Sequence, residues 1–118
     1  MQNKRELEGR LIEFAVHIHS IYKGMPHTYE CNHISRQLVR SGTAPAAIYG
    51  EAQFAESRAD FIHKMKVALK ELQETRIWLI IIRKTKIFKD IAIVEKGLVE
   101  VNELISIFVA SVKTASRN

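Results

Sequence analysis

Ile91, Val94, Leu98, Val101, Ile105, Phe108 and Val112 recur at alternating steps of three and four residues. That spacing returns an apolar side chain to the same face at every turn of an α-helix. Sustained over this length, it is the seam of a helix packed nearly parallel or antiparallel to its neighbours. The rhythm occurs three more times. Leu7, Leu11, Phe14, Ile18 and Ile21 carry it in a first segment, widened by Ala15 and Tyr22, which stops at "KGMPHT" where Gly24 and Pro26 end a helix. Phe61, Met65, Ala68, Leu72, Thr75, Leu79 and Ile82 carry it in a third segment, with Ser57 as N-cap and Asp60 at the third helical position; Asp90 caps the fourth. Such a chain is predicted to be all-α, an up-down-up-down antiparallel four-helix bundle forming a single domain over residues 1–118. Its helices are expected at about 4–23, 30–53, 57–84 and 90–113.

The second segment holds a contradiction. Ile34, Leu38, Ser41, Pro45, Ile48 and Ala52 keep the phase, yet Gly42, Pro45 and Gly50 lie among them. Proline removes the backbone hydrogen bond to the carbonyl of Ser41 and should kink a helix. Gly42, Ala44, Ala46 and Ala47 leave almost no side-chain bulk around it, which lets another helix approach closely. The unbroken phase favours one continuous, kinked helix. The alternative is a helix that ends near Gly42 and restarts at Pro45.

The net charge of +5 is unevenly distributed. Residues 1–56 balance, residues 57–89 carry nine basic against three acidic side chains, and Asp90, Glu95, Glu100 and Glu103 against Lys96 make the fourth segment acidic. Lys66, Lys70, Arg83, Lys84, Lys86 and Lys89 form a basic strip that suits a phosphate backbone, with no aromatic residue interleaved among them. The bland reading is that this strip neutralises the acidic fourth helix. The longest apolar run, Ile77–Ile82, is far too short to span a bilayer, so no membrane is expected. The polar "MQNKRELEGR" start and the single Cys31 point to a reducing cytoplasm.

No catalytic constellation stands out. His17 and His19 point about 200° apart on a helix and cannot share a metal. His27, Cys31 and His33 sit near a helix start but no second cluster completes a ligand set, so neither metal nor cofactor is expected. Arg76 falls within roughly 40° of the centre of the third helix's apolar stripe, where a charge needs a partner. Glu51 is the first choice, making a buried polar pair Glu51–Arg76, and Glu13 the second; the alternative is an arginine that snorkels outward. Val67, Trp78 and Ile81 lie on the opposite face and suit a subunit contact.

The run Arg40–Leu79, with "YGEAQ", Ser57-Arg58-Ala59-Asp60-Phe61-Ile62-His63-Lys64, Lys70-Glu71, Glu74-Thr75 and Trp78-Leu79, resembles the bacterial four-helix-bundle proteins encoded by intervening sequences of 23S rRNA genes. They are often labelled ribosomal proteins and are related to accessory variability proteins of retroelements. The resemblance implies a homopentamer, and in the retroelement relatives a basic subunit that engages nucleic acid and a reverse transcriptase. The serine and asparagine of the family's second helix are replaced here by Ala44 and Ile48, and the proline comes one residue early as Pro45. The expected function is therefore a non-enzymatic oligomer that binds RNA or DNA nonspecifically through a repeated basic patch. The alternative is an oligomeric scaffold or accessory subunit whose target is another protein.

Overall fold

The computed structural model describes residues 3–117 and contains α1 (Lys4–Gly24), α2 (Tyr29–Ala52), α3 (Arg58–Thr85) and α4 (Ile91–Ala115). These bounds fall within one or two residues of those read from the spacing. Each helix packs on the next and α4 returns to α1, the neighbour order of an up-down-up-down bundle. Among the described residues there is no strand, and no helix is long and apolar enough to cross a membrane. Four side chains start the helices by accepting a backbone N–H: Asn3 from Glu6, Thr28 from Cys31, Ser57 from Asp60, and Asp90 from Ala92 and Ile93.

The apolar seams meet in one core, in which Leu11, Ile18, Ile21, Leu38, Met65, Leu72, Leu79, Ile82, Val94, Val101, Leu104 and Phe108 are fully buried. The outermost seam positions are less enclosed, Phe61 and Val112 half-buried and Ile91 exposed, because the seam runs past the neighbouring helices at the bundle ends, whereas Ile105 is half-buried because Leu104, one residue earlier, takes the core place between Val101 and Phe108.

α2 runs unbroken through Pro45, which is buried. The reason for the small residues lies next to it. A methyl group on Gly42 would stand 2.7 Å from Cγ2 of the fully buried Ile18, so α1 and α2 touch with no space for a side chain. One residue earlier, the hydroxyl of Ser41 lies 2.8 Å from that of Thr75, and both residues are fully buried. Each hydroxyl has one proton and a backbone carbonyl within reach, Glu71 at 2.8 Å from Thr75 and Leu38 at 3.4 Å from Ser41, so one proton bridges the two hydroxyls and the other goes to a carbonyl. The polar atoms in this segment thus satisfy one another across α2 and α3.

One expectation is corrected. Glu51 is exposed and Arg76 half-buried, and neither takes part in an ion pair among the described residues, so the buried pair Glu51–Arg76 does not form; Glu13, the second choice, is also exposed. The physical reason is that Arg76 lies at the edge of the apolar stripe, where its long side chain reaches solvent and needs no counter-ion. The arginine that joins α2 to α3 is Arg40, which pairs with Glu71 at 3.1 Å and with Glu74. The Trp78 indole N–H donates to Glu74 at 2.9 Å and its ring meets His33 of α2 edge-on. Trp78 is therefore engaged in the α2–α3 seam, half-buried like Val67 and Ile81, while the apolar side chain that α3 turns outward is Ile77.

Two measurements follow from these contacts. Gly42→Ala is expected to lose about 1–3 kcal/mol through overpacking against Ile18 despite alanine's helical advantage. Gly50→Ala meets nothing within 4 Å and is expected to gain up to about 1 kcal/mol; equal effects in denaturant unfolding would refute the close-approach account. The Glu74 carboxyl is held below its ordinary value, first by the Trp78 N–H and then by Arg40. Its contribution is therefore complete above the unfolded value of 4.5 and is lost as pH falls through the lower folded value. Partly screened by solvent, it amounts to about 1 kcal/mol. Glu74→Gln should show that deficit at neutral pH, and the gap from the parent protein should begin to close only as pH falls below the unfolded value of 4.5.

Candidate nucleic-acid interface

An up-down-up-down chain places its first and third turns at one end. The register confirms it: Ser41 meets Thr75, and His33 meets Trp78, so the start of α2 at Tyr29 lies level with the last turn of α3. On the other side, Arg10 reaches Glu100 and Glu103, His17 Nε2–H donates to the Ile93 carbonyl at 2.8 Å, and a methyl on Gly24 would strike the Phe88 ring at 2.9 Å. Phe88 and Met25 are buried, which seats the α3–α4 turn on the end of α1.

This end is basic. Lys23 and Arg36 against Glu30 in residues 19–36, and Arg83, Lys84, Lys86 and Lys89 against Asp90 and Glu95 in residues 83–95, leave +3. At the opposite end, residues 3–8, 51–64 and 113–117 carry six basic and five acidic side chains, which leaves +1.

The acidic fourth helix does not neutralise the excess. Glu100 and Glu103 are taken by Arg10, at 2.7 and 3.1 Å, and that pairing pushes the Arg10 guanidinium well above its ordinary pKa. Glu95 takes Arg83 at 3.4 Å, and Asp90 accepts the N–H groups of its own helix start. Lys23, Arg36, Lys84, Lys86 and Lys89 are exposed, and among the described residues none of them forms an ion pair.

Lys86 is held in an unusual way. It terminates α3 at φ 58° and ψ 29°, the only positive φ at a non-glycine residue among those described, and its N–H bonds to the Ile82 carbonyl. This left-handed position usually belongs to glycine, and a side chain there costs about 1 kcal/mol. The backbone geometry turns the chain toward Phe88 and leaves Lys86 exposed.

The six basic residues singled out from the sequence do not make one site. Lys84, Lys86 and Lys89 gather at the turn with Arg83, which is paired. Lys66 is 18 residues from Lys84, about 27 Å along the helix, and lines a shallow groove with Lys113 and Arg117 near the other end. Lys70 is exposed between the two. Lys23 and Arg36 belong with the turn but were missed, since they lie in segments whose charges cancel in sequence; the clue was the topology, which brings the first and third turns together. Of the histidines and cysteine near the start of α2, Cys31 is buried while His27 and His33 are exposed, and no three His, Cys, Asp or Glu among the described residues surround a metal-sized site.

A family model described as 23S rRNA-intervening sequence protein matches residues 6–109. A crystal structure from Bacteroides thetaiotaomicron VPI-5482, described as a protein with unknown function from the S23 ribosomal protein family, is similar at a TM-score of 0.83 and 34% identity, over 91% of this chain and 98% of that one. No curated protein matches the chain. With the match running from the first turn of α1 to the last turns of α4, and the same bundle in a relative of that identity, the chain belongs to the 23S rRNA-intervening sequence protein family.

Proposed function

We propose that the protein is a non-enzymatic, oligomeric bundle that binds nucleic acid through the phosphates, using the lysines at its first-and-third-turn end. The observation that carries this reading is the set of exposed cations there that form no ion pair among the described residues, beside a fourth helix whose Glu95 is taken by Arg83 and whose Glu100 and Glu103 are taken by Arg10. Unneutralised surface cations hold counter-anions loosely and exchange them for a polyanion, with a gain in counterion entropy. Lys86 adds to this: a lysine kept where glycine is easier fits a side chain needed for its charge. The family is named for sequences that intervene in 23S rRNA, which makes a large structured RNA the first ligand to try. A homopentamer, as the family resemblance implies, would present five copies of the end.

A second reading, assembly with another protein surface, is favoured by the α1–α4 face. There Val16 and Val99 are 58% and 60% exposed and flank a groove of about 700 Å³ floored by Phe14, with Glu13, His17, Lys96 and Glu100 around it. Ile12, one turn before Val16, extends the apolar strip. Subunit association through this face would cover it; Val16→Glu together with Val99→Glu should then lower the sedimenting mass and leave helicity unchanged. A parent protein that is monomeric at micromolar concentration would rule out the oligomeric part of the proposal.

Phosphate contacts by Lys84, Lys86 and Lys89 predict a logarithmic salt slope of about −2.7 for a duplex held by one subunit, and steeper when more subunits engage. Lys84→Gln with Lys86→Gln should flatten it by about 1.8 and weaken unrelated sequences equally, since phosphate contacts carry no sequence information. Lys86→Gly should do the opposite to the fold: stability rises by about 1 kcal/mol while binding weakens. Fluorescence anisotropy of two unrelated duplexes and a structured RNA, from low to physiological salt, measures these. Absence of binding to all three at low salt would overturn the proposal.

A further inference from the structure

The lysines at this end have aromatic company that lies on other helices. Tyr29, the first residue of α2, is 92% exposed, and the Ser41–Thr75 and His33–Trp78 contacts set it level with the last turn of α3. Tyr29, at the start of α2, therefore lies at the same end of the bundle as the turn that carries Lys84 and Lys86. On the α1 side of Tyr29, Tyr22, His27, Asn32 and Arg36 line an open pocket of about 510 Å³ whose floor includes the buried Met25 and Ser35. Tyr22 stacks with His19 at a ring separation of 6.2 Å. Asn32 and Arg36 bring a carbonyl acceptor and several donors to the rim, the groups that read the edge of a base.

A duplex cannot use such features, because its bases are already stacked and paired. An unpaired strand can: an exposed tyrosine offers a face to any base, the pocket takes a splayed neighbour, and cations one helix away hold the backbone. We infer that this end binds single-stranded nucleic acid in preference to duplex. One base stacks on Tyr29, an adjacent base enters the pocket of Tyr22, His27, Asn32 and Arg36, and the phosphates run toward Lys84 and Lys86. The inference rests on the proposed phosphate-binding function and assigns the class of strand it takes. Single-stranded RNA and single-stranded DNA share the base and phosphate chemistry; a contact from Asn32 or Arg36 to a 2′-hydroxyl would separate them.

The test uses the full chain and three labelled 12-nucleotide probes: single-stranded RNA, single-stranded DNA of the same sequence, and the corresponding duplex. The expected order is either single strand tighter than duplex. Tyr29→Ala should weaken single-strand binding about tenfold with the salt slope unchanged, since stacking releases no counterion, and should leave duplex affinity where it was. Tyr29→Phe should retain single-strand affinity. At 92% exposure, Tyr29 makes no core contact that its loss could disturb, and far-ultraviolet circular dichroism checks this. Equal affinity for strand and duplex, or a Tyr29→Ala variant that binds single strands as tightly as the parent, overturns the inference while phosphate binding stands. Failure of every probe to bind overturns both.

Discussion

The contact of Ile18 with Gly42 sets the rest of the arrangement. With a methyl-sized space missing at 2.7 Å, α1 and α2 can slide past each other only by placing a larger residue where glycine now sits. The next residue, Ser41, is tied to Thr75 across the same level of the bundle. Two adjacent positions of α2 thus hold α1 on one side and α3 on the other. Because helices are stiff rods with a rise of about 1.5 Å per residue, a register fixed at mid-bundle is fixed at the ends. The level of Tyr29 against the end of α3, and of Gly24 against Phe88, agrees with these mid-bundle contacts and with that of His33 and Trp78.

That register also sorts the charges. Along the sides of the bundle, Arg10, Arg40, Lys64 and Arg83 each find a carboxylate on a neighbouring turn or helix. Such exposed pairs contribute little to stability, about 0–1 kcal/mol each. Their larger effect is on the field: they engage Glu71, Glu95, Glu100 and Glu103, leaving no carboxylate of α4 to face the lysines of the α3–α4 turn. A basic surplus that looks like a neutralising strip when counted along the chain becomes an exposed cationic end once the partners are known.

What could be read from the sequence was whatever depends on the phase of one helix. The strict three-and-four spacing carried the helix bounds, the unbroken α2 through Pro45 and most of the core, since each needs only the direction of a side chain about its own axis. What depends on which neighbour lies opposite was not legible. Arg76 was placed near the apolar stripe correctly enough to be half-buried, but azimuth does not name a partner, and Glu51 points to solvent. Trp78 was read as outward-facing because Glu74 four residues before it and His33 on α2 could not both be seen as its contacts. The aromatic residues near the lysines were missed for the same reason: Tyr22 and Tyr29 belong to the first turn and Lys84 and Lys86 to the third, and only the fold joins them. Ala44 and Ile48 are half-buried on α2, near the buried Pro45 and the contact of Gly42 with Ile18 of α1.

The position of the basic end on the long axis bears on assembly. The bundle is 48 Å long and 24 by 20 Å across, so its two ends are well separated, and the first-and-third-turn end carries the larger net surplus, +3 against +1. Rotation about a cyclic axis preserves direction along that axis, so every subunit of a ring whose helices run along the axis turns the same end the same way. The cations then form one rim, and a strand held weakly at one subunit meets the next site at high effective concentration. Dihedral assembly would divide them between two opposite rims and halve the run of sites any one strand can follow. The directionality of a four-helix bundle with both odd turns at one end therefore would suit a cyclic oligomer to a long, flexible polyanion, and the apolar strip of Ile12, Val16 and Val99 lies along the bundle side, where the neighbours in such a ring would meet, and not on the rim.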